Sequence, residues 1–578
     1  MRSATTAAIL LVTTILLVAA APPFVGAVVA LGEDRDARSS IDGDALWRTL
    51  GWTGGVALAA AVVGWAPGRV LARRRGIWAF LSILPLTVPH WLLVYGLWQS
   101  TGPGTLLGDL AGRADATSLL RQGVLAAGLL AASWPIVAWS VAAEGPPRGA
   151  TAALASLDGW SLGERWRGAL REDASALLRG AIAAMMLLAG TTVAFDLAGV
   201  RTFGFELRTL DAEGAPLGAI VRLGAIGVLP GIVLLVLAAT LPRPETSPEE
   251  VAPRPSRGLR VVAAAVVGLL GAAPVALLVG GLLREPGISR ESLESFGSLH
   301  ADAVPTTLGT ALASGTVLAL LAAGLLLLWR DGSRIARTVA IVQSVVWAVL
   351  AGLPAAAVAA ATITAWNRSW LDSVYESAAI VVVGHVGRFG VLAAAAAWWL
   401  ARRRDAALDL RSIDGPRRLG EVLRAERPRL VAAMTAAGAV GASLALGEID
   451  LTARLQPPGD GWIAVAVLNA IHYQRGESVL LAALAMTAMG AIAAGATMLA
   501  WRPLRSARRA AARAVVLAMA VWTLDAAARH DQTCFDQAWL DRAGLDRGGL
   551  DRGREDRWAW AIPEEPHTVD RGTRSGRA

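Results

Sequence analysis

The sequence predicts an all-α, polytopic membrane protein of about twelve transmembrane helices, arranged as two tandem halves of six helices each. Three observations lead to this prediction. Hydrophobic residues make up 54% of the 578 residues, charged residues only 17%, and the mean hydropathy is +0.50. Long uncharged runs recur along the chain, and most are long enough to cross a bilayer. A loop motif of the first part of the chain returns 256 residues later.

Twelve segments are candidates for membrane-spanning helices. Eleven of them contain no charged residue, and the tenth in chain order, Ser377–Ala401, is apolar except for His385 and Arg388. The other eleven are Ser3–Gly32, Thr49–Gly68, Gly76–Gly108, Gln122–Ala143, Gly180–Phe195, Leu223–Pro242, Val261–Leu283, Ala303–Trp329, Thr338–Asn367, Leu430–Gly447 and Ser478–Trp501. The first run has 30 residues, more than the apolar core of a signal peptide, so we expect an uncleaved anchor.

Arginine placement predicts the orientation of the spans, because short cytoplasmic loops are the arginine-rich ones. With the N-terminus inside, the predicted inner loops carry 26 arginines and the outer loops carry 13. This bias favours twelve alternating spans with a cytoplasmic N-terminus.

The largest inner loop of each half lies between its fourth and fifth spans, and the two loops share a motif. Ser156–Gly159 and Ser412–Gly415 both read serine, branched aliphatic residue, aspartate, glycine, and Leu-Gly-Glu follows at Leu162–Glu164 and at Leu419–Glu421. An isolated Asp-Gly pair is ordinarily a turn. Its repetition, with alanine-rich turns before it and charged turns after it, predicts a short helix, a corner and a second helix on the inner membrane surface.

The repeat divides the chain into four regions. Residues 1–241 form the predicted first half, 242–258 a Pro/Glu-rich cytoplasmic linker, and 259–502 the second half. Residues 503–578 are predicted to form a cytoplasmic interfacial helix and a disordered tail, since glycine recurs there in five-residue Leu-Asp-Arg units.

Missing residue types exclude several mechanisms. All 54 basic residues are arginine, so the chain has no P-loop, which needs a lysine for the phosphates. The single cysteine, Cys534, and six scattered histidines form no recognisable metal site. No His/Asp or Ser/His cluster indicates an enzyme, and no cofactor is expected. The net charge of +8 lies mostly in short loops, where it indicates topology and contact with membrane lipid rather than nucleic-acid binding.

The two loops resemble the signature of inner-membrane permeases of binding-protein-dependent ABC importers, which is Glu-Ala-Ala, three residues, then glycine. The glutamate is absent here, since Thr151 and Asp405 precede the alanines, and only Asp405 keeps the charge. The loop residues that would couple to ATPase subunits are Ala152, Ala153, Leu157, Asp158 and Gly159 in the first loop and Ala406, Ala407, Ile413, Asp414 and Gly415 in the second.

A second stretch, Leu444–Tyr473, looks like the Gly-Glu, Thr, Pro-Pro-Gly stretch of fused permeases of the ferric-iron and thiamine type. Gly447, Glu448, Thr452, Pro457, Pro458 and Gly459 carry this likeness. Arg388-Phe389 is similar to an Arg-Phe pair in the tenth span of that subfamily, and Phe195-Asp196 resembles a degenerate copy of the stretch at Glu448.

The resemblance implies a permease that moves a small solute, such as ferric iron or thiamine, across the bacterial inner membrane. Cytoplasmic ABC ATPase subunits would dock on the two loops, and a periplasmic or other extracytoplasmic substrate-binding protein would dock outside. The alternative is a secondary carrier of the major-facilitator type, which also has twelve spans in two halves. Against the carrier, only Arg69–Arg75 stands between spans two and three, where a Gly-x-x-x-Asp-Arg-type loop would belong.

Four polar residues within or at the ends of spans are further candidates. His385 and Arg388 lie on one helical face in the tenth span, while Asp196 and Glu448 end the fifth span of each half. Charges are costly inside a membrane, so these residues are expected either to line a translocation path or to serve as packing partners that hold the helices together. For Arg388 the residue pattern favours pairing with a buried acid from another span.

Overall fold

A computed structural model describes the chain from residue 2 to residue 501, apart from residues 22, 27, 29–42, 73–75, 100, 102–104, 145–160, 241–256, 273–275, 277–289, 332, 403–418, 459–460 and 473–475. The described residues belong to one compact unit, which runs from Met1 to Ala512. Residues 513–578 form a second unit and lie outside the described residues.

The described residues form helices and connecting turns, with no β-strand among them. Seven helices in this part are long and apolar enough to cross a membrane: Thr5–Gly26, Gly43–Leu71, Thr117–Glu144, Ala303–Asp331, Arg334–Gly352, Ala379–Ala401 and Arg427–Gly447. The predicted all-α class is therefore confirmed for the described residues, and the seven long apolar helices agree with the membrane protein predicted from the composition. The arrangement in two halves stays a prediction. The predicted total of about twelve spans stays a prediction.

Among the described residues, eleven helices precede the predicted linker. They are α1 (Arg2–Ile15), α2 (Gly43–Leu71), α3 (Gly76–Thr87), α4 (His90–Gln99), α5 (Leu106–Arg113), α6 (Thr117–Glu144), α7 (Leu162–Ala189), α8 (Val193–Leu197), α9 (Phe203–Ala212), α10 (Leu217–Ile226) and α11 (Val228–Thr240). A π-helical turn, Leu16–Ala20, continues α1.

In the part of the chain after the linker that the structure describes, there are twelve helices. They are α12 (Arg257–Val266), α13 (Arg290–Leu299), α14 (Ala303–Asp331), α15 (Arg334–Gly352), α16 (Ala355–Trp366), α17 (Asp372–Tyr375), α18 (Ala378–Ala401), α19 (Leu419–Ala425), α20 (Arg427–Gly447), α21 (Asp450–Leu455), α22 (Ile463–His472) and α23 (Gly476–Trp501). A π-helical turn, Val267–Ala272, continues α12, and a 3₁₀ turn, Ser369–Leu371, precedes α17.

Two of the predicted spans are each divided by a proline. The run Gly76–Gly108 splits into α3 and α4 at Pro89, and the run Thr338–Asn367 splits into α15 and α16 at Pro354. Proline cannot donate a backbone hydrogen bond and disfavours a helical conformation in the residue before it. The apolar runs gave no sign of these breaks because hydropathy does not register backbone geometry.

Two clusters of three helices form the centre of the compact unit, α2 with α6 and α7, and α14 with α18 and α20. Glycines allow the close approach: a Cβ on Gly64 would lie 2.7 Å from the carbonyl oxygen of Trp134, and a Cβ on Gly315 would lie 2.6 Å from that of Gly438. Small residues at helix contacts are the usual way for membrane helices to pack, since van der Waals contact is the main attraction there.

The first helix on each side of the linker packs on the long helix from the other side. α1 lies against α14, where Thr5 donates a hydrogen bond of 2.7 Å to Asp331. α12 lies against α2, where Leu259 and Ala263 join Trp65 in one buried cluster. These exchanged helices hold the parts before and after the linker together within the compact unit.

Candidate functional site

The candidate site is built around two helix breaks. α7 ends at Ala189, and Gly190 with two threonines separates it from the short helix α8. α20 ends at Gly447, and Glu448 with Ile449 separates it from α21. Glycine and β-branched residues are poor helix formers, so both breaks follow from the local sequence. A helix that ends in this way leaves carbonyl oxygens in need of hydrogen-bond donors.

Arg388, from the middle of α18, lies between the two breaks. Its Nε is 3.2 Å from Oε2 of Glu448 and its Nη1 is 3.2 Å from Oε1, which makes the ion pair bidentate. Its Nη2 donates to the carbonyl oxygen of Gly190. The side chains of Arg388 and Glu448 are 10% and 8% exposed. Their pairing matches the packing alternative of the sequence interpretation, and a role in a translocation path stays a prediction.

The arginine also suits the local electrostatics. The C-terminal end of a helix carries a partial negative charge, and a cation near it is stabilising. The C-terminal ends of α7 and α20 both lie at Arg388, α7 through the Gly190 carbonyl and α20 through Glu448 at its C-cap. One guanidinium group thus neutralises a carboxylate and serves two helix ends.

His385 is buried one turn before Arg388, with 1% of its surface exposed. Its Nδ1 is 3.3 Å from the Ser314 hydroxyl of α14, and its Nε2 is 3.0 Å from the Thr452 hydroxyl of α21. Both ring nitrogens therefore have a hydroxyl partner. The arrangement connects three helices and leaves His385 with a packing role in this conformation.

Asp196, in α8, belongs to a second charged group beside the first. Arg208 of α9 pairs with both Asp196 and Asp450, the latter at 3.5 Å, and the Thr192 hydroxyl donates to Asp450. Arg454 of α21 pairs with Asp211 of α9. These ion pairs connect the segment after the first break with the segment after the second.

Sequence reasoning missed several members of this network. Asp450 lies two residues after Glu448 in the stretch Leu444–Tyr473. The presence of two acids so close together was the available signal. Arg208 lies in a predicted outer loop, where nothing in the sequence distinguishes it from other loop arginines. Trp91 gave no signal at all, although its Nε1 donates a 3.1 Å hydrogen bond to the carbonyl oxygen of Gly447.

The ten predicted coupling residues lie outside the described residues, which omit 145–160 and 403–418. Helices begin directly after both gaps, α7 at Leu162 and α19 at Leu419. These are the leucines of the two Leu-Gly-Glu motifs, so the predicted helix after each Asp-Gly pair is present. The start of α7 has a capping box, in which the Ser161 hydroxyl accepts from the Glu164 amide. Hydrogen bonds from the Ser161 backbone and hydroxyl lower the pKa of Glu164.

Ion pairs connect the long helix of each cluster to the segment that follows the corresponding inner loop. Arg69, in the last turn of α2, pairs with Asp173 of α7, which also accepts a 2.7 Å hydrogen bond from Trp65. Arg330, in the last turn of α14, is 3.2 Å from Glu426, which stands between α19 and α20. A movement imposed on either inner loop would therefore reach the core of the corresponding cluster.

The described residues contain no group of three or more His, Cys, Asp or Glu side chains placed to hold a metal ion. Comparison with known proteins gives no match, whether to a family model, a curated protein or a solved structure. The functional proposal therefore rests on the sequence repeat and on the contacts between the chain's own residues.

Proposed function

We propose that the chain is the transmembrane permease subunit of an ABC importer, with two fused permease halves. It moves a small solute, such as ferric iron or thiamine, across the bacterial inner membrane. Separate cytoplasmic ATPase subunits supply the energy, and an extracytoplasmic binding protein delivers the solute. The observation that carries this proposal is a nearly constant spacing of corresponding sequence motifs and helix ends in the two proposed halves.

Corresponding features lie at nearly the same spacing. The Leu-Gly-Glu motifs at Leu162–Glu164 in α7 and at Leu419–Glu421 in α19 are 257 residues apart. The helices that lead to the two breaks, α7 and α20, end at Ala189 and Gly447, which are 258 residues apart. Random helical packing gives no reason for this agreement, whereas a tandem duplication does.

A buried contact also recurs. The Thr49 hydroxyl of α2 accepts a 2.8 Å hydrogen bond from the backbone N–H of Phe203, the first residue of α9. The Thr307 hydroxyl of α14 accepts a 3.0 Å hydrogen bond from the backbone N–H of Ile463, the first residue of α22. The first amides of a helix need acceptors, and here a threonine of the long helix fills that need twice.

The exchanged helices support a transporter of two halves. α1 belongs to the proposed first half and packs on α14, and α12 belongs to the second and packs on α2. Each half thus holds the other while a boundary remains between them. Alternating access requires such a boundary, along which one half rocks against the other.

The ion pairs of Arg69 and Arg330 support coupling at the inner loops. Arg69 joins α2 to α7, which follows the first predicted docking loop, and Arg330 joins α14 to Glu426, the N-cap of α20 after the second loop. Closure of two ATPase subunits would then displace each half as a rigid body. The chain has no lysine and so has no P-loop of its own to hydrolyse ATP.

The test is purification of the tagged full chain from membranes of its native host in mild detergent, with identification of the copurifying proteins. We expect a P-loop ATPase subunit and ATP-dependent uptake after reconstitution with it and the binding protein. The chain alone is expected to hydrolyse no ATP. Uptake driven by an ion gradient without any ATPase would contradict the proposal and favour the secondary carrier.

Substitutions at the loop glycines test the docking role. Gly159→Arg and Gly415→Arg are expected to abolish uptake and to weaken copurification of the ATPase while the chain still inserts. Gly415→Arg should be the more damaging, because Asp405 keeps the acidic position of its loop. Gly112→Arg, on α5 where a Cβ meets nothing within 4 Å, is the matched control and should keep uptake. Normal uptake with both loop substitutions present would remove the coupling role from these loops.

A further inference from the structure

The two helix breaks pose a physical problem that the chain solves in a reciprocal way. A backbone carbonyl at the end of a helix lacks its intrahelical partner, and leaving it unpaired within a membrane costs several kcal/mol. α20 ends at the buried Gly447, and α7 ends at Ala189, next to the half-buried Gly190. The donors that complete these two ends come from the opposite side of the linker.

The end of α7 takes its donor from the second half. Arg388 reaches across from α18 to the Gly190 carbonyl, 198 residues away in sequence. Glu448 holds the guanidinium group in this position through its two oxygens, and it is itself fixed by the Leu451 amide, which donates to it at 3.2 Å. The position of Arg388 is therefore set by the second half, while the carbonyl that it binds belongs to the first.

The end of α20 takes its donor from the first half. Trp91, near the start of α4, donates its indole N–H to the Gly447 carbonyl, 356 residues away in sequence. The indole ring is buried, with 1% of its surface exposed. A buried tryptophan N–H ordinarily needs an acceptor, so this contact satisfies both groups.

The glycines make these contacts possible. A Cβ on Gly190 would lie 2.7 Å from Nη2 of Arg388, and a Cβ on Gly447 would lie 3.0 Å from Cβ of Pro89. Both distances are shorter than ordinary contacts between side chains. Each break therefore presents its carbonyl, free of a side chain, to a residue of the other half.

We propose that Trp91, Gly190, Arg388, Gly447 and Glu448 form a reciprocal latch that closes the outer side of the boundary between the halves. α7 and α20 run outward in the topology predicted from the arginines, so their C-terminal ends lie toward the outer side. Rocking of one half against the other must break the two carbonyl contacts together, because each joins the same two halves. Solute enters from outside only while the latch is open. The inference rests on the proposed function for this last step alone.

The experiment measures opening directly, without any ATPase. A reporter cysteine replaces buried Val193 at the start of α8, in the full chain with Cys534→Ser. The rate of labelling by a membrane-impermeant maleimide is then measured in intact cells and in inverted vesicles. Arg388→Gln should raise the rate from outside by about tenfold or more, and Trp91→Phe by about fivefold, because a hydrogen bond to a charged group is the stronger one.

Two matched controls separate the latch from general loosening. Arg402→Gln removes an arginine at the inner end of α18, where it lies over the ring of Trp398. Trp462→Phe removes an indole donor whose acceptor, Thr310, belongs to the same half. Both should leave the labelling rate at the parental value. If Arg388→Gln does not fold, Trp91→Phe decides, since it removes only the N–H donor and keeps an aromatic side chain.

The outcomes separate the latch from the transport proposal. Faster external labelling in both latch variants, with parental rates in the controls, supports the latch whether or not ATP-driven uptake is found. Parental rates in folded latch variants on both sides of the membrane would overturn it, even if uptake is normal. Failure of ATP-driven uptake alone would overturn the proposed function and leave the labelling result unchanged.

Discussion

The helices α6 and α18 occupy corresponding places in the two proposed halves, and they differ in chemistry at two positions. α18 has His385 and Arg388, whereas the residues 257 positions earlier in α6 are Gly128 and Ala131. A Cβ on Gly128 would lie 2.6 Å from a methyl group of Val94, so this position serves close packing of α4 on α6. The second half uses the same two positions for hydrogen bonds and an ion pair. One half thus provides apolar packing where the other provides the charged centre.

A second difference concerns which helices approach each other closely. In the first cluster the tight glycine contacts of α2, at Gly64 and Gly68, are with α6. In the second cluster the tight contacts of α14 are with α20, at Gly315 and Gly438. The helix that carries the break at Gly447 is therefore packed more closely on its long partner helix. The two proposed halves therefore keep the same helix order, but different helices make the close glycine contacts in each.

The largest expected effect on stability concerns Glu448, compared with the residue at the corresponding position of the first break. Thr191 stands 257 residues before Glu448, at the same place in the first break. Glu448→Gln leaves Arg388 buried without a carboxylate, which costs about 3–5 kcal/mol for a buried pair. Thr191→Val removes only a 3.5 Å hydrogen bond to Leu187 within α7 and should cost less than about 1 kcal/mol. Thermal unfolding of the two purified variants in detergent measures both.

The double variant Arg388→Met/Glu448→Gln sharpens this test. Removing both charges should restore most of the stability, because the loss in Glu448→Gln comes from the arginine left unpaired. Equal melting temperatures for Glu448→Gln and Thr191→Val would show that the charged centre of the second half contributes no more to stability than the Thr191 hydrogen bond does.

The sequence predicted the fold well where the signal was hydrophobicity or repetition. The all-α class, seven long apolar helices and the presence of helix after each Asp-Gly pair followed from uncharged runs and the repeated motif. The breaks at Pro89 and Pro354 did not follow, since an apolar run reads as one span until backbone geometry is considered. The boundary of the proposed halves is likewise visible in the motif spacing but not in the contacts, which join both halves in one compact unit.

The site was predictable only in its charges. Arg388 and Glu448 stood out because charges are rare inside spans, and pairing of Arg388 with a buried acid from another span was one of the two interpretations, although that acid was not identified. The Gly190 carbonyl and Trp91 were beyond sequence reasoning, because a backbone acceptor carries no residue signature and a tryptophan in an apolar run looks like any lipid-facing or core residue. Their role in the site depends on contacts between residues that are hundreds of positions apart in the sequence.

The next effect concerns the glycines of the two long helices, α2 and α14, which both have 29 residues. Gly315 and Gly55 occupy the same position counted from the start of their helices. Gly315→Ala places a Cβ 2.6 Å from the Gly438 carbonyl and should cost about 1–3 kcal/mol. Gly55→Ala meets nothing within 4 Å and should be neutral or slightly stabilising, because alanine is the better helix former. Melting temperatures that fall equally in both would contradict the packing difference.

The smallest expected effect concerns the inner ion pairs, where the first half has a reserve contact. Arg69→Gln removes the ion pair to Asp173, but Trp65 still donates to that carboxylate and keeps α2 joined to α7. Arg330→Gln removes the ion pair from α14 to Glu426. The remaining partner of Glu426 is Arg429, which lies only three residues further along the chain and does not connect it to α14. Hydrogen exchange should therefore rise by about tenfold in residues 419–426 of the second variant and only about threefold in residues 169–173 of the first. Adding Trp65→Phe to Arg69→Gln removes the reserve contact and should bring exchange in α7 to the level found after Arg330→Gln. If hydrogen exchange in that double variant is no faster than in Arg69→Gln alone, the indole contact does not anchor α7. The contact would then not explain why the first half is expected to lose less protection than the second when its inner ion pair is removed.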